Sequence, residues 1–184
     1  EWFDYLATRP DLDEVNFWRP GGIQPFRALE PGDLFLFRTK APTIAIGGFG
    51  IYSHFSIAPL SVAWEAFGAK NGAPTYRRFL ELIAAHKRLS ASPELAAEAP
   101  VGCIMLSDPV FWPREQWLPV PSDYPLNNPQ GAGYDAASPT GQRLVAAVQD
   151  STQAISRTQV FEQLRLPVEF RRSLIRRRLG QGTF

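Results

Sequence analysis

The segment "NFWRP" sets an amide, two aromatic rings and a guanidinium in succession: Asn16, Phe17, Trp18 and Arg19, just ahead of a proline. A planar base needs a stacking surface and a few fixed hydrogen-bond partners. Phe17 and Trp18 suit the first task, Asn16 and Arg19 the second. The same residues also suit a plain role, with the rings in a core and Arg19 in a surface ion pair. A second run, "GGFGIYSHFS", offers an opposite wall. Its glycines allow close approach, Phe49 and Tyr52 supply rings, and Ser53 and His54 supply polar contacts. Its plain alternative is a bulged core strand. Trp64, between small apolar residues, is a pocket floor or a core tryptophan.

Other chemistries fail on their residue requirements. His54 and His86 are the only histidines, and neither has a partner at ligand spacing. With Cys103 as the single cysteine, a zinc site is not expected. Cys103 lies in the apolar run "VGCIML", which raises a thiol pKa rather than lowering it. No G-x-S-x-G occurs, and "GGFG" is not followed by the Lys-Ser/Thr of a phosphate loop. The carboxylate pairs Asp11/Asp13 and Glu30/Asp33 lie in turns, where acids bond backbone groups anyway. By exclusion the chain reads as a binding module. No cofactor is expected for it.

The elements follow from pattern and punctuation. "EWFDYLATRP" predicts a short helix stopped near Pro10. "PGDLFLF" is a turn feeding a strand, apolar on both faces and so expected to be buried on both sides. "TIAIGGFGIYSHFSI" predicts a strand with a bulge or bend. "LSVAWEAFGAKNG" predicts a helix with Ser61 as N-cap and Gly72 as stop. "TYRRFLELIAAHKR" predicts a helix capped by Thr75, with Phe79, Leu82, Ile83 and His86 on one face. "SPELAAE" adds a turn of helix capped by Ser92, and "PVGCIMLSDPVFW" a third strand. The Pro/Gly/Asn-rich stretch from Pro113 to Asp135 exceeds ordinary connectors in length. A helix follows, striped by Leu144, Val145 and Val148. The order suits an α+β fold with a small mixed barrel better than a doubly wound sheet.

At 184 residues the chain has room for one domain and an appendage. Its formal charge is only +1, but from Arg165 to Arg178 six arginines face one acid, Glu169. The absence of any long apolar run excludes a transmembrane helix by sequence, and the lone cysteine fits a reducing cytoplasm.

Four motifs in order, "NFWRP", "PGDLFLF", "SVAWEAFGAKNG" and "QGAGYD", resemble the N-terminal domain of bacterial HNH-type restriction endonucleases of the modification-dependent kind. The likeness covers most of residues 14–145, and "VFEQLRLPVEFRRSLIRRRLGQGTF" looks like the segment that leads into the nuclease domain. What it implies is a PUA-like small β-barrel flanked by helices, akin to the SRA, ASCH and EVE readers, over residues 1–150. A helical, arginine-rich linker would occupy residues 151–184. Members of that family begin with a strand ahead of the segment at Trp2, where this chain has one residue. A divalent metal is expected only in the nuclease domain, whose histidines are not in this sequence.

The function so implied is recognition of double-stranded DNA carrying a modified base, most readily a cytosine, in a bacterial cytoplasm. The base would flip out of the stack at a cost of a few kcal/mol. The pocket candidates are Asn16, Phe17, Trp18, Phe49, Tyr52, Ser53, Trp64 and Asp135. Arg19, Arg38, Lys40 and His54 are candidates for the backbone or groove, with Asn127, Asn128 and Gln130 of the long loop. Arg171, Arg172 and Arg176 of the tail would meet phosphates. A homodimer of the full-length protein is expected, because cutting both strands asks for two nuclease copies. The rival readings are an RNA or nucleotide binder on the same fold, or a protein-interaction module whose arginine helix docks on an acidic partner.

Overall fold

The computed structural model describes residues 1–9, 11–21, 24–87, 97–125 and 131–155. Ser92 and its turn of helix, Asn127, Asn128, Gln130 and the arginine tail with Arg171, Arg172 and Arg176 lie outside the described residues. The chain divides into two compact units: Glu1–Phe37 with Gly48–Phe111, and Arg38–Gly47 with Trp112–Phe184.

The fold is α+β. A short helix α1 (Trp2–Ala7) precedes strand β1 (Glu14–Arg19). The strands β2 (Leu34–Arg38) and β3 (Ala45–Pro59) follow, then helix α2 (Leu60–Phe67), a 3-10 turn (Gly68–Asn71) and helix α3 (Tyr76–Lys87). The strand β4 (Pro100–Phe111), the two-residue β5 (Leu118–Pro119) and helix α4 (Pro139–Ile155) complete the described elements. The sheet runs β1–β4–β3–β2, with β5 beside the start of β3. The β1–β4, β4–β3 and β3–β5 pairs are antiparallel. Among the described strands this five-stranded sheet is open and not closed into a barrel.

In the first unit the register sets two faces. Side chains alternate along a strand, and directly paired residues share a face. Asn16 and Trp18 of β1 therefore stand with Met105 and Cys103 of β4 and with His54 and Ser56 of β3. The helices α2 and α3 pack over this side. Leu60, Ala63, Phe79, Leu82 and Ile83 are buried with Val101 and Cys103. Each large apolar side chain removed from water here contributes roughly 1.5–3 kcal/mol. The other face carries Val15, Phe17 and Arg19, then Leu106, Ile104 and Gly102, then Tyr52, Phe55 and Ile57. Leu6 of α1 is buried there with Val15, Phe37, Tyr52, Ile104 and Leu106.

Several sequence expectations change on this frame. Ser61 lies inside the first turn of α2; the N-cap is Pro59, without a side-chain cap bond. Only Phe37 of "LFLF" is buried, and Leu34, Phe35 and Leu36 are half-buried, because β2 ends the strand order rather than sitting inside it. The expected bend in the glycine-rich strand is present. β3 shifts register against β4 between Phe49 and Ile51 and again between Tyr52 and His54. A Cβ on Gly48 would fall 2.1 Å from the Val110 carbonyl oxygen, so that approach needs glycine. Thr75 caps α3 as its sequence suggests, with its Oγ1 accepting from the Arg78 amide at 3.2 Å. Val148 of α4 is buried, while Leu144 and Val145 are half-buried.

Candidate functional site

The "NFWRP" and "AKNG" motifs meet, and what they build is a lock. Asn16 and Asn71 are both fully buried. Asn16 Nδ2 donates to Asn71 Oδ1 at 2.8 Å. Asn71 Nδ2 donates to the Ala63 and Gly68 carbonyls at 3.0 and 2.9 Å, which ties off the end of α2. Trp18 Nε1 donates to the Asn71 carbonyl at 2.9 Å, and Trp2 Nε1 to the Asn16 carbonyl at 3.0 Å. Gly72 follows with φ +77°, and the Trp2 ring lies against it. Lys70 closes the outside of the lock on Asp13 Oδ1 at 2.7 Å and Glu14 Oε1 at 3.1 Å. Its hydrogen bond to Asp13 holds the lysine pKa above its usual value, and the same bond holds Asp13 below the usual carboxylate range.

Trp18 is thereby committed. Its ring packs edge-on against Phe79 at 6.4 Å and His86 at 5.4 Å. Trp64, half-buried, lies tilted over Phe79 and Tyr76 at 5.9 Å each. Burial pushes the Cys103 thiol up, the direction its apolar run implies. Asn16, Trp18 and Trp64 come together on the helix-covered face, in a packed core.

The opposite face holds Phe17, Arg19 and Tyr52, together with rings that sequence reasoning passed over. Phe17 is 5.0 Å from Phe35, and Phe26 is 5.4 Å from Tyr52 and 6.4 Å from both Phe35 and Phe55. Tyr52 is the buried floor, and desolvation raises its phenol pKa. Phe17, Phe26, Phe35 and Phe55 are half-buried. Arg19 lies over the Phe26 ring at 5.8 Å and has no carboxylate at ion-pair distance among the described residues. At the end of this face Ile57 is 44% exposed. Alternation along "EVNFWR" offered the signal for Phe17 and Arg19 sharing a side. Phe26 lies outside any strand, so no period marked it.

The remaining candidates stand elsewhere. Ser53 and His54 are exposed at the β3 bulge, with Ser53 Oγ 3.2 Å from His54 Nδ1. Phe49 is half-buried, paired with Val110. In the second unit, Asp135 serves its own loop: its Oδ1 accepts from the Ala137 amide at 2.8 Å, ahead of α4. Arg38 lies over the Tyr124 ring at 5.2 Å, again with no ion-pair partner among the described residues, and Lys40 is exposed.

Seven of the described basic residues thus fall into two kinds. Lys70, Arg77 and Arg78 are matched by acids: Asp13 and Glu14, Glu81, and Glu81 with Glu1. Arg9, Arg19, Arg38 and Arg114 lie instead over Tyr5, Phe26, Tyr124 and Trp117. A guanidinium over a ring has N–H groups left for another partner, as Arg9 shows by donating to the Tyr5 hydroxyl, and its fork matches phosphate and carboxylate. Among the described residues no group of three or more His, Cys, Asp and Glu is placed to hold a metal ion. No helix of the described residues is long and apolar enough to cross a membrane. Compared with family models, curated proteins and solved structures, the chain gives no match to any of them.

Proposed function

We propose that this chain is a DNA-recognition module of the PUA-like kind, which reads a modified base, a cytosine by preference, flipped out of a duplex. Under this reading it directs an HNH-type nuclease carried elsewhere in a longer protein. The observation that carries the reading is the aromatic face of the first unit. Half-buried rings of Phe17, Phe26, Phe35 and Phe55 stand beside Arg19, whose guanidinium lies over Phe26 with no acid at ion-pair distance among the described residues. Stacking of a base on such rings is worth roughly 1–3 kcal/mol per base. An unneutralised, partly desolvated guanidinium is costly unless an anion arrives, and the backbone phosphate of a duplex supplies one. Arg38, stacked on Tyr124, is a second contact of the same chemistry.

The stacking surface is therefore assigned to Phe17, Phe26 and Phe55 over Tyr52. Asn16, Trp18 and Trp64 support the fold beneath it. The test is a titration against matched duplexes: unmodified, 5-methylcytosine, 5-hydroxymethylcytosine and N6-methyladenine, each at two salt concentrations. Preference for one modified-cytosine duplex by about tenfold or more is expected, and Phe55→Ala should abolish it while the protein stays folded. Removing Arg38 should weaken all duplexes alike and reduce the salt slope by about one. Equal affinity for all four duplexes would sink base reading, and tighter binding to single-stranded RNA would move the ligand class.

A further inference from the structure

Resting on that reading, we infer that the end of the aromatic face is a subsite for one whole nucleotide, base and 5′-phosphate together, so that the protein binds a free nucleoside monophosphate. Three residues form the last row of this face. Arg19 pairs with Gly102, and Gly102 with Ile57. Neighbouring strands lie about 4.8 Å apart, so the backbones of Arg19 and Ile57 are about 10 Å apart across Gly102. Gly102, itself buried, contributes no side chain between them. At one end of the row is a guanidinium whose Cζ lies 5.8 Å from the centre of the Phe26 ring, with no acid at ion-pair distance among the described residues. At the other is Ile57, an apolar side chain 44% exposed, with the half-buried Phe55 in the next row.

A ligand matching the row needs an anion at one end and a flat apolar body at the other. Inorganic phosphate lacks the body, and a nucleoside lacks the anion. A nucleoside 5′-monophosphate has both. Its phosphate takes the N–H fork of Arg19, a geometry that matches phosphate oxygens two at a time. Its base lies against Ile57 and Phe55.

The experiment is a set of NMR titrations of the full 184-residue chain. The probes are deoxycytidine, deoxycytidine 5′-monophosphate with and without a 5-methyl group, and inorganic phosphate. The nucleotide should bind about tenfold or more tightly than either the nucleoside or phosphate, as a charge-assisted contact implies. Its shifts should centre on Arg19, Gly102, Phe55 and Ile57. Arg19→Gln should bring the nucleotide down to the level of the nucleoside. Ile57→Asp, at an exposed position, should weaken it by about tenfold, and Arg77→Gln on α3 should change nothing. Equal binding of nucleoside and nucleotide, or undiminished binding by Arg19→Gln, would overturn the subsite. The two readings separate cleanly. Selective binding of a modified duplex without any free-nucleotide binding overturns the subsite and leaves base reading standing. Nucleotide binding through Arg19 without preference among duplexes supports the subsite and overturns base reading.

Discussion

On one face of the sheet Asn16 and Trp18 hand their polar groups to Asn71, and helices α2 and α3 cover them. One residue along the same strand, Phe17 and Arg19 face the other way, among half-buried rings, and the Arg19 guanidinium has no acid at ion-pair distance among the described residues. The first face ties up the Asn71 side chain, the Asn16 amide N–H and both indoles, and leaves only Asn16 Oδ1 and the Tyr76 hydroxyl buried without a partner among the described residues. The second leaves the Arg19 charge unmatched among the described residues. Stability is best served by satisfied burial, and ligand binding by groups held ready but not yet matched. The motif most suggestive of a pocket is therefore divided between two tasks by the pleat of a single strand. Mutations on the two faces should separate in what they cost.

The largest effect is expected at Asn71. Asn71→Ala removes the partner of Asn16 Nδ2 and leaves the Ala63 and Gly68 carbonyls short of a donor in a buried place. Each orphaned buried group costs about 1–3 kcal/mol, so a loss of about 3–5 kcal/mol is expected. Urea denaturation would measure it as a lower midpoint with an unchanged slope. A loss under 1 kcal/mol would mean that the lock is not a stability element, and the contrast between the faces would fail.

Next comes Gly72→Ala. The residue holds φ +77°, and a Cβ there would fall 2.2 Å from Trp2 Cδ1. Trp2 is not free to swing away, since its indole donates to Asn16 and its ring packs edge-on against Phe17 and Phe37. Strain and displacement together predict a loss of about 2–3 kcal/mol. Trp2 fluorescence should shift with it. Gly68→Ala is the comparison, with φ +48° but open space around the site; it should cost less.

These two variants also show what was legible beforehand. The strands β2, β3 and β4, the four helices and the bulge are readable because periodicity and glycine punctuation are local, whereas β1 and the two-residue β5 carry no such signal. The Asn16–Asn71 pairing is not readable either, because it joins residues 55 apart in sequence. Reading Asn16 and Trp18 as pocket walls assumed that neighbours in sequence face the same way, which a strand forbids. Phe17, Arg19 and Tyr52, three of the candidates that the sequence offers, do share a face. Phe26, Phe35 and Phe55 join them only through sheet order and a loop, neither of which leaves a pattern in the chain. Ser61 was named a cap because serine favours that position, but β3 runs straight into α2 and Pro59 takes it.

A smaller effect is expected from Lys70→Met. The lysine bridges Asp13 and Glu14, but the Asp13 side chain is 77% exposed, and water screens most of the attraction. A loss of at most about 1 kcal/mol at neutral pH follows. The sign with pH is fixed by the two shifts. Asp13 is lowered by Lys70, so its share is present above the ordinary carboxylate pKa of about 4 and is lost as the pH falls through its lowered value. Lys70 is raised by Asp13, so its share is present below about 10.4 and is lost as the pH rises through its raised value. Wild type and Lys70→Met should therefore converge in stability at both extremes. A difference that persists at pH 2 would assign the effect to something other than the ion pair, since methionine keeps a stem of similar length.

The smallest change in stability is expected at Arg19. Its described contact is the Phe26 ring, a stack worth about 0.5–1 kcal/mol at an exposed site, and glutamine keeps part of that packing. Arg19→Gln should stay within about 0.5 kcal/mol of wild type in urea, even as nucleotide binding falls to the level of the nucleoside. That combination is the opposite of Asn71→Ala, which should unfold more easily and, while folded, leave the aromatic face and its ligand in place. If Arg19→Gln instead costs as much as Gly72→Ala, the guanidinium is packing Phe26 into the core. The second face would then be a scaffold like the first, and the ligand-binding surface would have to be sought at the exposed Ser53–His54 bulge or around Arg38 in the second unit.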